Sequence, residues 1–129
     1  MTYGELDVLD FHNRFTAALP ADTDTTNVRR QVEGAAYSRV SPTAVSSPTT
    51  VAVAEEVADL LGLPEQLWQT EDFAAVFSGN RVPAGADPHA AVYGGHQFGN
   101  WAGQLGDGRA IALGEVRDRH GGHQMLQLK

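Results

Sequence analysis

The chain has 129 residues, of which 42% are hydrophobic and 19% are charged, and it contains no cysteine. This length suits one small domain, and the absence of cysteine excludes a disulfide scaffold, a thiol nucleophile and a cysteine-based metal site. The formal net charge of −7 comes from sixteen acidic and nine basic side chains without a basic stripe, so general binding to a nucleic-acid backbone is disfavoured.

The sequence lacks the run of about 18 apolar residues that a membrane span needs. Its first residues, Met-Thr-Tyr-Gly-Glu, also lack the basic and apolar regions of a secretory signal. We therefore expect a bacterial-type cytoplasmic protein that has neither a membrane nor a nucleic acid as its partner.

Residues 1–50 are rich in Thr, Ser and Asp and predict an irregular N-terminal arm. Within this arm, the helical spacing of Phe11, Phe15 and Leu19 predicts a short helix that Pro20 ends. The two Ser-Pro-Thr triplets that follow favour an extended chain, because the residue before a proline is pushed out of the helical region.

Residues 51–80 form the predicted helical segment, which we interpret as scaffold. The first helix is expected to begin at a Thr49 or Thr50 cap and to end at Gly62. Its apolar stripe is expected to comprise Val53, Val57, Leu60 and Leu61. A second helix is predicted at Glu71–Phe77, after a Thr70 cap and before Ser78-Gly79-Asn80.

Residues 81–129 are predicted to contain a glycine-rich loop and a β-hairpin. Six of the fourteen glycines fall between Gly94 and Gly108, interleaved with aromatic residues that make disorder improbable. A strand is expected over 110–116, a turn over 117–122 and a returning strand over 123–129. Its alternation places Leu126 and Leu128 on one face, and Met125, Gln127 and Lys129 on the other.

The sequence Gly103-Gln104-Leu105-Gly106-Asp107-Gly108-Arg109 matches neither the phosphate-loop motif nor G-x-G-x-x-G. A glycine loop followed by a strand, and by a paired strand that carries a lysine, is nevertheless how kinase-like N-lobes hold a nucleotide. Arg109 would add a planar donor for phosphate oxygens, and Lys129 a point charge. The alternatives are that the glycines form an ordinary tight turn and that Lys129 is a solvated terminal lysine.

Other chemistries find little support in the sequence. His120 and His123 flank a Gly-Gly turn, and His89 and His96 are seven residues apart, but no carboxylate completes a metal site and no H-E-x-x-H helix occurs. We expect His96 to hold the glycine segment in shape. The G-x-S-x-G elbow of serine hydrolases is absent.

Residues 92–110, VYGGHQFGNWAGQLGDGRA, closely resemble the signature of the selenoprotein O family, the pseudokinase-fold protein adenylyltransferases. Weaker similarity extends over nearly the whole chain. One departure is Gly94, where the family usually has alanine, and loop geometry should tolerate it.

The resemblance implies an α+β chain in which an arm and short helices precede the start of a kinase-like N-lobe: glycine loop, strand, hairpin, strand. It implies ATP held in a flipped orientation, Mg²⁺, and AMP transfer to hydroxyl side chains of proteins. Gly106, Gly108, Arg109 and Lys129 would contact ATP.

The family's catalytic base and metal ligands would follow Lys129, so we expect no catalytic residue and no metal ligand within this chain. We interpret it as an N-terminal fragment that is inactive and weakly folded in isolation. The alternative is a non-catalytic anion-binding or interaction module, or a remnant.

Overall fold

A computed structural model describes residues 4–26, 32–97, 99–105 and 110–129, and gives only the backbone of 93–97 and 100–105. A 3₁₀ helix at Glu5–Val8 precedes four short α-helices: α1 (Arg14–Ala18), α2 (Glu55–Leu60), α3 (Glu65–Trp68) and α4 (Glu71–Phe77). The strands are β1 (Tyr37–Arg39), β2 (His89–Ala91), β3 (Tyr93–Gln97), β4 (Asn100–Leu105), β5 (Ile111–Arg117) and β6 (His123–Leu128). None of the described helices has the length and apolar character needed to cross a membrane.

The expected α+β class is confirmed by these helices and an antiparallel four-stranded sheet with the order β1-β2-β5-β6. Strands β3 and β4 form a separate hairpin, so the backbone of the glycine-rich segment is partly strand where we expected a loop. Strand β1 lies within residues 1–50, which were expected to be irregular, and Tyr37 in it is fully buried.

Helix α4 confirms its sequence signals at both ends. The Thr70 hydroxyl accepts a hydrogen bond from the backbone N–H of Phe73 at 3.1 Å. At the other end Gly79 has a φ of +86°. The backbone N–H groups of Gly79 and Asn80 donate to the carbonyls of Val76 and Ala75, which is the Schellman arrangement.

Helix α2 ends as predicted and begins elsewhere. Gly62 has a φ of +73°, and the N–H of Leu63 donates to the carbonyl of Ala58 at 2.8 Å. The N-cap is Ala54, so the expected Thr49 or Thr50 cap is wrong.

The predicted apolar stripe of α2 is also partly wrong, because Val57 is 53% exposed. Ala58 faces the core instead, where it packs in the same cluster as Leu63. This pairing is the apolar contact that commonly accompanies a Schellman end, and it fixes which face of so short a helix is buried.

The main core lies between the helices and one face of β5. Its buried members come from the 3₁₀ helix and the residue after it, from α2 and the turn that ends it, from α4 and from β5: Leu6, Leu9, Ala58, Leu63, Phe73, Val76, Leu113 and Val116. Leu126 and Leu128 of β6 pack against it, which confirms the predicted alternation of that strand. A smaller cluster consists of Val40, directly after β1, Ala90 of β2 and Ile111 of β5.

Arg81 ties the N-terminal 3₁₀ helix to α4. Its guanidinium donates to both carboxylate oxygens of Asp72 and, at 3.0 Å, to Asp7. The Asp7 carboxylate also accepts from the backbone N–H of Ala84 and Gly4, and these bonds, with that of Arg81, lower its pKa. Burial opposes ionisation of Asp72, but its bonds from Arg81 and from the N–H of Leu6 outweigh burial and lower its pKa.

Candidate functional site

The candidate site lies where the glycine segment enters the sheet beside the end of β6. Strand β5 begins at Ile111, whose register partner in antiparallel β6 is Leu128. Lys129 therefore follows directly opposite Ala110, the residue after Arg109. Its side chain is exposed.

A β-bulge in β5 decides which side chains of the hairpin face the core. Ala112 pairs with Gln127 and Gly114 pairs with Leu126, so Leu113 is an extra residue. A strict alternation from Leu113 would turn Glu115 inward. The bulge shifts the phase by one residue, so that Val116 is buried instead.

Only glycine fits the bulge. Gly114 has a φ of +148°, and a Cβ there would lie 2.5 Å from Oδ1 of Asn13 and 2.9 Å from Cδ1 of Phe11. Phe11 forms an antiparallel bridge with Val116, so the N-terminal segment crosses β5 at the bulge. Phe11 was predicted to lie on a helix and lies in this bridge instead.

The outward-facing Glu115 is committed to an ion pair. Its carboxylate accepts two hydrogen bonds from Arg14, at 2.6 and 3.2 Å, and these lower its pKa. Nδ1 of His123 lies 3.2 Å from the same carboxylate. Glu115 is thus held as an anion that anchors α1 to the hairpin, which leaves it unsuited to act as a general base.

The turn after α4 packs against the end of β6. A Cβ on Gly79 would lie 2.7 Å from Cβ of Pro42 and 3.3 Å from Cδ1 of Leu128. A hollow of about 300 Å³ opens beside this contact, with Phe77, Leu128 and Lys129 among its lining residues. The last residue of β6, Leu128, is therefore held close to the turn after α4 and to Pro42, and Lys129 follows it directly.

The turn of the β5–β6 hairpin forms at the predicted place. The Asp118 carboxylate accepts hydrogen bonds from the backbone N–H groups of His120 and Gly122 and from the Gln124 amide, at 2.9, 2.9 and 3.0 Å. Gly121 has a φ of +81°. The predicted strand–turn–strand arrangement that carries Lys129 is confirmed.

Among the histidines outside the glycine segment, the rings of His12 and His123 are in edge-to-face contact, with their centroids 6.2 Å apart. The ring of His89 is buried between those of Phe15 and Tyr37, each 5.4 Å away, and its Nδ1 lies 2.8 Å from the carbonyl of Asp87. His120 is exposed in the turn. Across the described part of the chain, no group of three or more His, Asp or Glu side chains could hold a metal ion.

Of the predicted ATP contacts, the structure places Lys129 alone. Gly106, Gly108 and Arg109 lie outside the described residues, as does the side chain of His96. Sequence reasoning missed the Glu115–Arg14 pair, whose members are 101 residues apart and carry no local signal. The isolated glycine in the β5 pattern was a signal for the bulge.

Comparison with known proteins gives a consistent assignment. The family model described as "Protein adenylyltransferase SelO" matches residues 23–129. Proteins named "Protein nucleotidyltransferase YdiU" from Azoarcus sp. (strain BH72) and Rhodopirellula baltica are 60% and 55% identical over 121 residues, or 94% of this chain. A third so named, from Flavobacterium johnsoniae, is 50% identical over 121 residues. The chain spans 22–23% of the length of these three relatives.

Proposed function

Since the chain belongs to the SelO family of protein adenylyltransferases, we propose that it forms the nucleotide-binding N-terminal part of an ATP-dependent protein adenylyltransferase. The transferred group is AMP, and the acceptors are serine, threonine or tyrosine hydroxyls of protein substrates. Catalysis by the whole protein would draw on residues in the part of the relatives' length that this chain does not span.

One observation carries the proposal: the Ile111–Leu128 register sets Lys129 opposite Ala110, at the exit of the segment with Gly106, Gly108 and Arg109. Backbone N–H groups at the glycines would cover the phosphates, since a residue without a Cβ lets the backbone approach closely. Arg109, two residues before β5 in the sequence, and Lys129, directly after β6, would bring positive charge to the same phosphates.

In adenylyl transfer, a hydroxyl oxygen attacks the α-phosphorus while the bond to the pyrophosphate oxygen breaks. The hydroxyl proton passes to a base, and pyrophosphate leaves with the bonding electrons. We assign to Arg109 and Lys129 the binding of the phosphates and the stabilisation of charge on the leaving pyrophosphate. Such charge stabilisation requires positioning rather than proton transfer, which suits two cationic side chains.

We further propose that the β5–β6 hairpin is the start of a kinase-like N-lobe sheet. Support comes from the order of glycine segment, strand, tight turn and strand with a lysine after its last residue. Magnesium would neutralise phosphate charge in such an enzyme. No described side chain is proposed as its ligand, because no suitable cluster exists among them.

The test is calorimetric titration of the chain with ATP and magnesium, in parallel with Arg109→Ala and Lys129→Ala. Loss of one phosphate-contacting cation should weaken binding about tenfold. Gln127→Ala is the matched control, because Gln127 is an exposed neighbour of Lys129 in the same hairpin. Equal affinities for the Lys129 and Gln127 variants would remove Lys129 from the site.

The same titration with pyrophosphate separates the enzyme proposal from a plain anion-binding module. A nucleotide site should bind ATP more tightly than pyrophosphate, because the nucleoside adds apolar burial. Equal affinity for both ligands would favour the module. With α-labelled ATP, we expect the isolated chain to transfer no label to protein.

A further inference from the structure

The negative charge of the chain is concentrated in its helical part. Between residues 40 and 80 there are six acidic side chains and no Lys, Arg or His, so this segment carries six of the seven net negative charges. Two of the six are paired, Asp59 with Arg119 and Asp72 with Arg81. The other four, which are exposed, have no ion-pair partner among the described residues: Glu55, Glu56, Glu65 and Glu71.

A groove of about 480 Å³ lies within this acidic region. One wall is the segment 48–53, and the other is formed by Trp68, its neighbours up to Glu71, and Ala74. Val51 in the first wall is 96% exposed, although it is β-branched and apolar. The indole N–H of Trp68 donates to the carbonyl of Leu63 at 2.7 Å, which fixes the opposite wall.

The segment that precedes the wall 48–53 is fixed by hydrogen bonds, whereas backbone groups of the wall itself are free to bind a ligand. The chain leading into this wall is held at Val45, whose backbone N–H and carbonyl form two hydrogen bonds with the Asn80 side-chain amide, at 2.7 and 2.8 Å. The backbone groups of residues 49–52 form no hydrogen bond with any other described residue. A non-helical segment with free donors and acceptors can pair with an extended peptide.

A second hollow, of about 530 Å³, adjoins the groove and shares Thr70 and Glu71 with it. Its other lining residues include Glu5 and Asp72. The carboxylate of Asp72 is already bound by Arg81, so Glu5 and Glu71 are the two carboxylates available to a ligand. A hollow lined in part by apolar side chains therefore continues into an acidic one.

We propose that these two hollows dock an extended segment of a partner protein in which apolar residues lie next to arginine or lysine. The apolar side chains contact Val51, Trp68 and Ala74, and the cationic ones lie between Glu5 and Glu71. Charge complementarity identifies the occupant, because the 40–80 segment repels an acidic segment and offers no cation to one. A second copy would present the same acidic surface, which disfavours self-association here.

The experiment uses fluorescence anisotropy of a fluorescein-labelled peptide, Gly-Leu-Ser-Leu-Ser-Arg-Ser-Arg, with the intact protein. Val51→Ser should weaken binding about tenfold through lost apolar burial, and Glu71→Gln about threefold through one exposed ion pair. Binding should also weaken as salt is added. A peptide with glutamate in place of arginine should not bind.

Matched controls lie outside the groove. Val82→Ser changes another exposed valine, and Glu33→Gln another exposed glutamate; both should bind the peptide like the unmodified protein. Equal loss in all four variants, or no binding by the intact protein, would overturn the proposal. So would a dimer in sedimentation that Val51→Ser dissociates, since a second copy would then occupy the groove.

Discussion

Glu115 and Arg14 form a two-bond ion pair, at 2.6 and 3.2 Å, across 101 residues of sequence. The pair exists because the bulge at Gly114 turns Glu115 away from the core. At the same bulge, Gly114 is in close contact with Phe11 and Asn13. One extra residue in β5 therefore both buries Val116 and attaches the N-terminal segment to the hairpin that carries Lys129.

The first prediction concerns stability against pH. The pKa values of several carboxyls, including Asp7, Asp87 and Glu115, are lowered in the folded chain from ordinary values of 3.8 and 4.5. Their ionisation therefore favours folding. This stabilisation is complete above about pH 5 and is lost as the pH falls through the folded pKa values.

Urea unfolding followed by circular dichroism checks this, with midpoints compared near neutral pH and near about pH 3. The midpoint should fall below about pH 4. Arg14→Gln should reduce this dependence, because the pKa of Glu115 then returns toward its ordinary value. An unchanged pH profile in that variant would contradict the role of Arg14.

The second prediction concerns Arg81. Arg81→Met removes the partner of two largely buried carboxylates, Asp7 and Asp72, and should cost about 2–3 kcal/mol in the free energy of unfolding. Arg119→Met breaks an ion pair with Asp59 in which both side chains are at least half exposed. That control should change stability by about 0.5 kcal/mol or less. Comparable losses in the two variants would show that burial does not set the strength of the Arg81 network.

The third prediction compares two glycines with the same backbone role. Gly62 and Gly79 each end a helix with positive φ, so alanine at either should cost about 1 kcal/mol from the left-handed conformation. A Cβ at Gly62 meets nothing within 4 Å among the described residues, whereas one at Gly79 would lie 2.7 Å from Cβ of Pro42. Gly79→Ala should therefore cost at least about 1 kcal/mol more. Thermal or urea unfolding measures the difference, and equal losses would mean that the 42–45 segment is not packed on α4.

The fourth prediction concerns folding of the isolated chain. Strand β6 ends the described sheet order, and its outer backbone groups are not covered by a further described strand. An open edge and a small core predict a broad, weakly cooperative thermal transition by circular dichroism. A sharp melt above about 50 °C would contradict it.

The sequence predicted correctly those helices and strands whose ends or buried faces are set by residues close by in the chain. The Thr70 cap and Gly79 predicted the two ends of α4 to within a residue, because both act through backbone groups three or four positions away. The alternation of Leu126 and Leu128 likewise determined the buried face of β6. The register of that strand sets Lys129 opposite Ala110, and its contact with ATP stays a prediction.

Features that depend on distant partners were not predictable in this way. Strand β1 is only three residues long and is defined by pairing with β2, some fifty residues later. The α2 cap was misplaced because Thr49 and Thr50 suit a cap by type, while the chain stays non-helical until Ala54. The predicted roles of Gly106, Gly108 and Arg109 remain predictions, since these residues are not among those described.

The absence of Lys and Arg between Arg39 and Arg81 has a consequence for proteolysis. Trypsin cleaves after these residue types, so it cannot cut within α2, α3 or α4. Both flanking arginines are held by carboxylates, Arg39 by Asp87 and Arg81 by Asp72 and Asp7. Residues 40–81 should therefore be released as one peptide only after the ion pairs of both arginines open, and the rate at which this peptide appears in a mass spectrum reports that local unfolding directly.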